Sequence, residues 1–93
     1  MTAGVLDAQS RPRVNAGFRL QWEPVQQAWV LLYPEGMVKL NQSAGEIMKR
    51  CDGAAPLHAI VADLERTFGA SALEPEVRGF VEIAARQRWL TWV

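Results

Sequence analysis

The sequence predicts an α+β domain in which three short antiparallel strands come first and three helices follow. Three observations carry that expectation. Apolar and polar residues alternate from Phe18 to Glu23, AWVLLY at 28–33 is a continuous apolar run, and the stripes after Leu40 have helical spacing.

Residues 1–14, MTAGVLDAQSRPRV, show no periodicity and carry Gly4 and Pro12. They are expected to be a flexible tail, with a single domain over residues 15–93. In the first strand Phe18, Leu20 and Trp22 point one way, and Arg19, Gln21 and Glu23 the other. Pro24-Val25-Gln26-Gln27 interrupts it. The run Ala28 to Tyr33 then reads as a central strand with both faces covered. Tyr33-Pro34-Glu35-Gly36 is a tight turn, because Pro34 fixes one φ and Gly36 tolerates a positive one. Met37 to Leu40 forms a short third strand and completes an antiparallel meander.

Asn41 or Ser43 can cap the first helix, and Ser43 with Glu46 has the spacing of a capping box. Its stripe is Ala44, Ile47, Met48 and Cys51, and Asp52-Gly53 stops it. Pro56 suits the first position of a second helix, whose stripe is Leu57, Ile60, Val61, Leu64 and Phe68 before Gly69. A third helix begins near Pro75 and buries Val77, Phe80, Val81 and Ala84. Trp89 to Val93 reads as a last extended segment over the core. The arrangement is winged helix-turn-helix-like: an N-terminal three-stranded antiparallel sheet followed by a three-helix bundle.

Composition narrows the function. A chain of 93 residues with 49% hydrophobic content makes one core and no enclosed second lobe. Lysine plus arginine total 10 and aspartate plus glutamate total 10. Zero net charge argues against nucleic acid or an anionic membrane as partner. The lone Cys51 cannot form an internal disulfide and fits a reducing compartment. No secretory signal is visible, and no apolar run approaches the ~20 residues a membrane span needs. A soluble, cytoplasmic protein is expected.

No catalytic constellation is legible. His58 is the only histidine and Cys51 sits at an apolar helix position. One Cys and one His do not make a zinc site unaided, and there is no phosphate-cradling Gly-rich loop or Gly-x-Ser-x-Gly elbow. The expectation is a protein that is not an enzyme and has no cofactor and no metal.

Peptide capture suits the pattern better. The third strand is short and last in its sheet, so its edge offers unpaired N–H and C=O groups to an added strand. The third helix carries Ile83 and Ala85 beyond its core stripe, which widens its apolar arc. A groove between them would have Met37, Val38, Lys39 and Leu40 as a backbone wall. Val81 and Ala85 would form the side-chain wall, with Arg78, Glu82 and Arg86 at the rim. Two simpler readings stand beside this one: an edge protected by Lys39 and its own shortness, and a helix surface covered by Trp89 and Trp92.

The stretch QWEPVQQAWVLLYPEGMVKLNQSAGEIMKRCDG, residues 21–53, resembles the PqqD family of pyrroloquinoline quinone (PQQ) biosynthesis proteins. The resemblance rests on Leu32-Tyr33-Pro34-Glu35-Gly36, Leu40-Asn41 and Cys51-Asp52-Gly53, followed by Phe68-Gly69, Val77, Phe80 and Trp89-Leu90 in the same order. Gln26-Gln27 replaces a basic residue common in relatives, and Ala55 stands where a Ser or Thr helix cap is usual. The Pro-Glu-Gly and Cys-Asp-Gly triplets read as a turn and a helix stop. The resemblance implies a winged-helix recognition element for a ribosomally made precursor peptide. It implies a chaperone that binds PqqA and presents it to the radical S-adenosylmethionine enzyme PqqE, with the peptide added beside the third strand. The alternatives are a winged-helix DNA-binding protein and a carrier of the finished quinone. Glu74, Glu76 and Glu82 offset Arg78, Arg86 and Arg88 on the third helix and argue against the first. No cationic cluster for the quinone's carboxylates is evident, which argues against the second. An unpaired edge also leaves open a homodimer through edge pairing or swapping.

Overall fold

The alternation from Phe18 onward is realised as a meander. A computed structural model, describing residues 4–93, places strands β2 (Arg19–Glu23), β3 (Ala28–Tyr33) and β4 (Gly36–Lys39) in one antiparallel sheet of order β2-β3-β4. Register follows the turns. Pro24–Gln27 closes the first hairpin, with Gln27 at φ 49°, so that Glu23 faces Ala28. Tyr33–Gly36 closes the second, and Tyr33 pairs with Gly36. Leu20, Leu31 and Val38 lie in register on the core face, and Val30 and Leu31 are fully buried.

Three helices follow: α1 (Gln42–Met48), α2 (Leu57–Phe68) and α3 (Glu74–Arg86). Asn41, not Ser43, caps α1, its side-chain oxygen accepting from the Ala44 N–H at 2.8 Å. Gly45 lets α1 lie against β3. A Cβ there would stand 2.8 Å from Trp29 Cδ1 and 3.1 Å from its Cβ, so a side chain would push the helix off the sheet. Pro56 takes the cap position of α2, one residue before the expected place, and Gly69 ends the helix in the left-handed region at φ 61°. Pro75 sits in the first turn of α3 as expected.

The α+β class stands, with five strands in two sheets rather than three in one. The expected tail is the main correction. Residues 1–3 lie outside the described residues, but from Gly4 onward the segment is packed. β1 (Pro12–Val14) pairs antiparallel with β5 (Leu90–Trp92) in a second sheet, and Arg13 bridges to Asp52. Leu6 is 4% exposed within the main core. The physical reason lies at α2. Pro56 provides no side-chain cap, and the carbonyls of Ser10 and Ala8 accept the N–H groups of Leu57 (2.8 Å) and His58 (3.1 Å) instead. The arm thus supplies the acceptors that a Pro56 cap cannot.

One core joins Leu31, Leu40, Met48, Leu57, Ile60 and Val81, with Trp89 and Trp92 packed against it from the C-terminal side. Phe68 departs from its expected place in the α2 stripe and is 48% exposed.

Arg50 ties α1 to α2. Its guanidinium donates to Glu46 Oε1 (2.9 Å), the Glu46 carbonyl (2.8 Å), Asp63 and Thr67. These hydrogen bonds lower the pKa values of Glu46 and Asp63, and the backbone N–H groups of Ala54 and Ala55 lower that of Asp52. A depressed carboxylate stabilises the fold above its unfolded pKa and loses that contribution as pH falls through its folded one. Urea midpoints should therefore fall as pH drops below about 4. Arg50→Met should be less stable at pH 7 by about 1–3 kcal/mol and show a shallower acid dependence. An unchanged acid limb in that variant would remove Arg50 from the account.

Candidate functional site

The free edge of β4 is built by the register of the meander. The Leu40 N–H donates to the Trp29 carbonyl at 2.9 Å, and Val38 stands opposite Leu31 two residues earlier. In an antiparallel ladder alternate residues turn their polar groups inward, so Val38 and Leu40 face β3. Met37 and Lys39 therefore direct their N–H and C=O groups away from the sheet, where no strand pairs with them among the described residues.

Side chains alternate across the same strand. Val38 packs against the core, whereas Met37 is 50% exposed and Lys39 is exposed on the opposite face. Lys39 makes no ion pair among the described residues. Four outward main-chain groups allow up to four hydrogen bonds, roughly 4 kcal/mol at ~1 kcal/mol each. Micromolar binding needs about 8 kcal/mol after ordering costs, so side-chain contacts must supply the remainder.

The expected helix wall needs correcting. Val81 is fully buried in the core against which Val38 also packs, so it is a core residue rather than a wall of an open groove. Leu40 is 4% exposed and also belongs to the core. Arg78 is engaged: its Nε donates to Glu74 (2.7 Å) and its Nη1 to the Leu6 carbonyl (2.6 Å), which fastens the N-terminal arm to α3. Ala85 is half-buried, and Ile83 is exposed. α3 packs mainly on α2 and β5. Of the seven expected site residues, Met37 and Lys39 are the two that present both backbone and side chain at the edge.

Sequence reasoning did not find an apolar groove of about 270 Å³ between α1, the end of α2 and the start of α3. Ile47, Leu64, Leu73 and Val77 line it, with Phe68 at its mouth. The spacing of Phe68 was the available signal, since it extends an apolar stripe to the very end of α2.

Reactive groups are quiet. Cys51 is buried, its Sγ donates to the Ile47 carbonyl at 3.3 Å, and burial pushes its pKa up to about 12. A thiol so held is not a nucleophile near neutral pH. Asp52 Oδ1 accepts from Ala54 and Ala55, which makes Cys-Asp-Gly a structural turn. No three His, Cys, Asp or Glu side chains converge among the described residues. No helix among them is long and apolar enough to cross a membrane.

Comparison with known proteins gives consistent matches. Residues 28–90 match the family model described as Coenzyme PQQ synthesis protein D (PqqD). The PqqA binding protein of Methylococcus capsulatus is 49% identical over 72 residues, covering 77% of each chain. That of Azotobacter vinelandii is 49% identical over 80 residues, covering 85% of this chain and 87% of its own. The solution NMR structure of the PqqD truncation of Methylobacterium extorquens PqqCD superposes with a TM-score of 0.72 at 28% identity. The match covers 92% of this chain and 94% of that one, which is described as a functional, stand-alone recognition element for ribosomally synthesised and post-translationally modified peptides.

Proposed function

The chain belongs to the PqqD family, and we propose that it serves pyrroloquinoline quinone biosynthesis as a peptide chaperone that binds PqqA and presents it to the enzyme PqqE. The observation that carries this reading is the free β4 edge, with the outward N–H and C=O groups of Met37 and Lys39 in a family whose curated relatives are PqqA binding proteins. The precursor adds as a strand along Met37 to Lys39. Val38 lies on the inner side of that strand, Met37 and Lys39 lie on the outer side, and Ala85 supplies a contact from α3.

The protein acts by positioning, with no bond made or broken on its own residues. Holding the peptide beside the enzyme raises the effective concentration of the reacting segment. Read as a winged helix-turn-helix, α1 to α3 form the body and the meander the wing. A cytoplasmic setting belongs to this reading, and the lone, buried Cys51 fits it. A homodimer paired through β4 would fill the same edge and compete with peptide.

Titration of isotope-labelled protein with synthetic PqqA tests the reading. Saturable amide shifts at micromolar peptide are expected. An unchanged spectrum at high micromolar concentrations would defeat it.

A further inference from the structure

The groove between α1, α2 and α3 shares no residue with β4 or with Ala85. It therefore stays open while a peptide occupies the edge. Its volume of about 270 Å³ exceeds the roughly 150 Å³ that suffices for a benzene ring in an apolar cavity.

Three features distinguish it from an ordinary surface depression. Phe68 continues the α2 stripe to the last residue of the helix and is left 48% exposed at the mouth, although an aromatic in that position has no core to join. The loop leading into α3 holds Ala72 at φ 59°, a left-handed conformation that costs a non-glycine residue energy and recurs at binding sites. Glu65 Oε2 fixes that loop by accepting the Leu73 N–H at 3.0 Å. The charged lining groups are two carboxylates, Glu46 and Glu76, with no cation among them. Lys49 and Arg50 already engage Glu46, so the uncompensated charge at the mouth is that of Glu76.

We propose that this groove is a second docking surface, for a segment of a partner protein that inserts one large apolar side chain and sets a basic residue against Glu76. Anchor residues seated in such pockets carry most of the affinity of an interface, and the flanking charge selects the partner. A protein that presents a peptide must hold it on one face and be held on another, and the groove supplies that second face. Taking the modifying enzyme as the partner rests on the function proposed above.

The test measures the affinity of PqqE for the full chain and for Phe68→Asp and Glu76→Lys, with and without saturating PqqA. Both positions are exposed, and thermal unfolding confirms that each variant is folded. Phe68→Asp is expected to weaken the enzyme complex at least about tenfold. Glu76→Lys is expected to weaken it roughly three- to tenfold and to flatten its salt dependence. Peptide affinity should stay within about twofold in both, because neither residue contacts β4. Enzyme affinities unchanged in both folded variants overturn the proposal. A parent protein that binds no peptide defeats the peptide reading instead, and the arm run without PqqA still decides the groove.

Discussion

Replacing Lys39 by proline is expected to weaken peptide capture by more than about tenfold while leaving the domain folded. The Lys39 N–H points away from β3, so losing it costs the meander no ladder bond. An added strand loses that donor and meets the pyrrolidine ring where its own carbonyl should lie. The deleted hydrogen bond alone is worth about 1 kcal/mol, or roughly fivefold in affinity. Displacement of the neighbouring bonds should raise the loss beyond about tenfold. Lys39→Met separates backbone from charge: it keeps the donor and should bind within about threefold of the parent, since an exposed charge pair contributes little. Val38→Pro is the opposite control. It removes the N–H that faces Leu31 and should open the β3–β4 hairpin. Calorimetric titration with PqqA, paired with thermal melts, reads all three. Equal binding by the parent and a folded Lys39→Pro protein would place the peptide elsewhere.

Val81→Asp is expected to unfold the domain. The side chain is fully buried in the apolar core. Losing the valine costs about 1.5–3 kcal/mol in transfer energy. Desolvating the new charge adds several kcal/mol more. Together they rival the roughly 5–15 kcal/mol that stabilises a domain of this size. Ala85→Asp, one helical turn on and half-buried, should remain folded and weaken peptide binding. Circular dichroism distinguishes the two. A cooperative native melt for Val81→Asp would mean that this face of α3 is open, contrary to its observed burial.

That contrast shows what was legible in the sequence and what was not. The meander could be read because strand alternation and two turns fix register locally. The turn at Pro34 places Tyr33 beside Gly36, although Gly36 does not adopt the positive φ it could tolerate, and the rest of the ladder follows. The core stripes of α2 and α3 could be read for the same reason, down to Leu57, Ile60, Val61, Leu64 and Val77. Val81 carried two expectations, a place in the buried α3 stripe and a place in the groove wall, and its full burial bears out the first. Helical spacing marks a position as apolar but does not say whether core or ligand covers it. The N-terminal arm was illegible because main-chain pairing orders it. Ser10 and Ala8 bond to α2, and Arg11 to Val93 just past β5, through carbonyl and N–H groups. The groove was hidden because α1, α2 and α3 contribute to it from distant points in the chain. Glu46 looked like half of a capping box, but it serves Arg50 and Lys49, while Asn41 caps the helix.

The central claim, that the β4 edge receives the peptide as a strand, is tested most directly by amide hydrogen exchange along residues 36–40 with and without PqqA. The Val38 and Leu40 N–H groups face β3 already and should change little. Those of Met37 and Lys39 face outward and should slow markedly when the peptide binds. A bound complex in which Met37 and Lys39 exchange as fast as in the free protein would contradict strand addition at this edge.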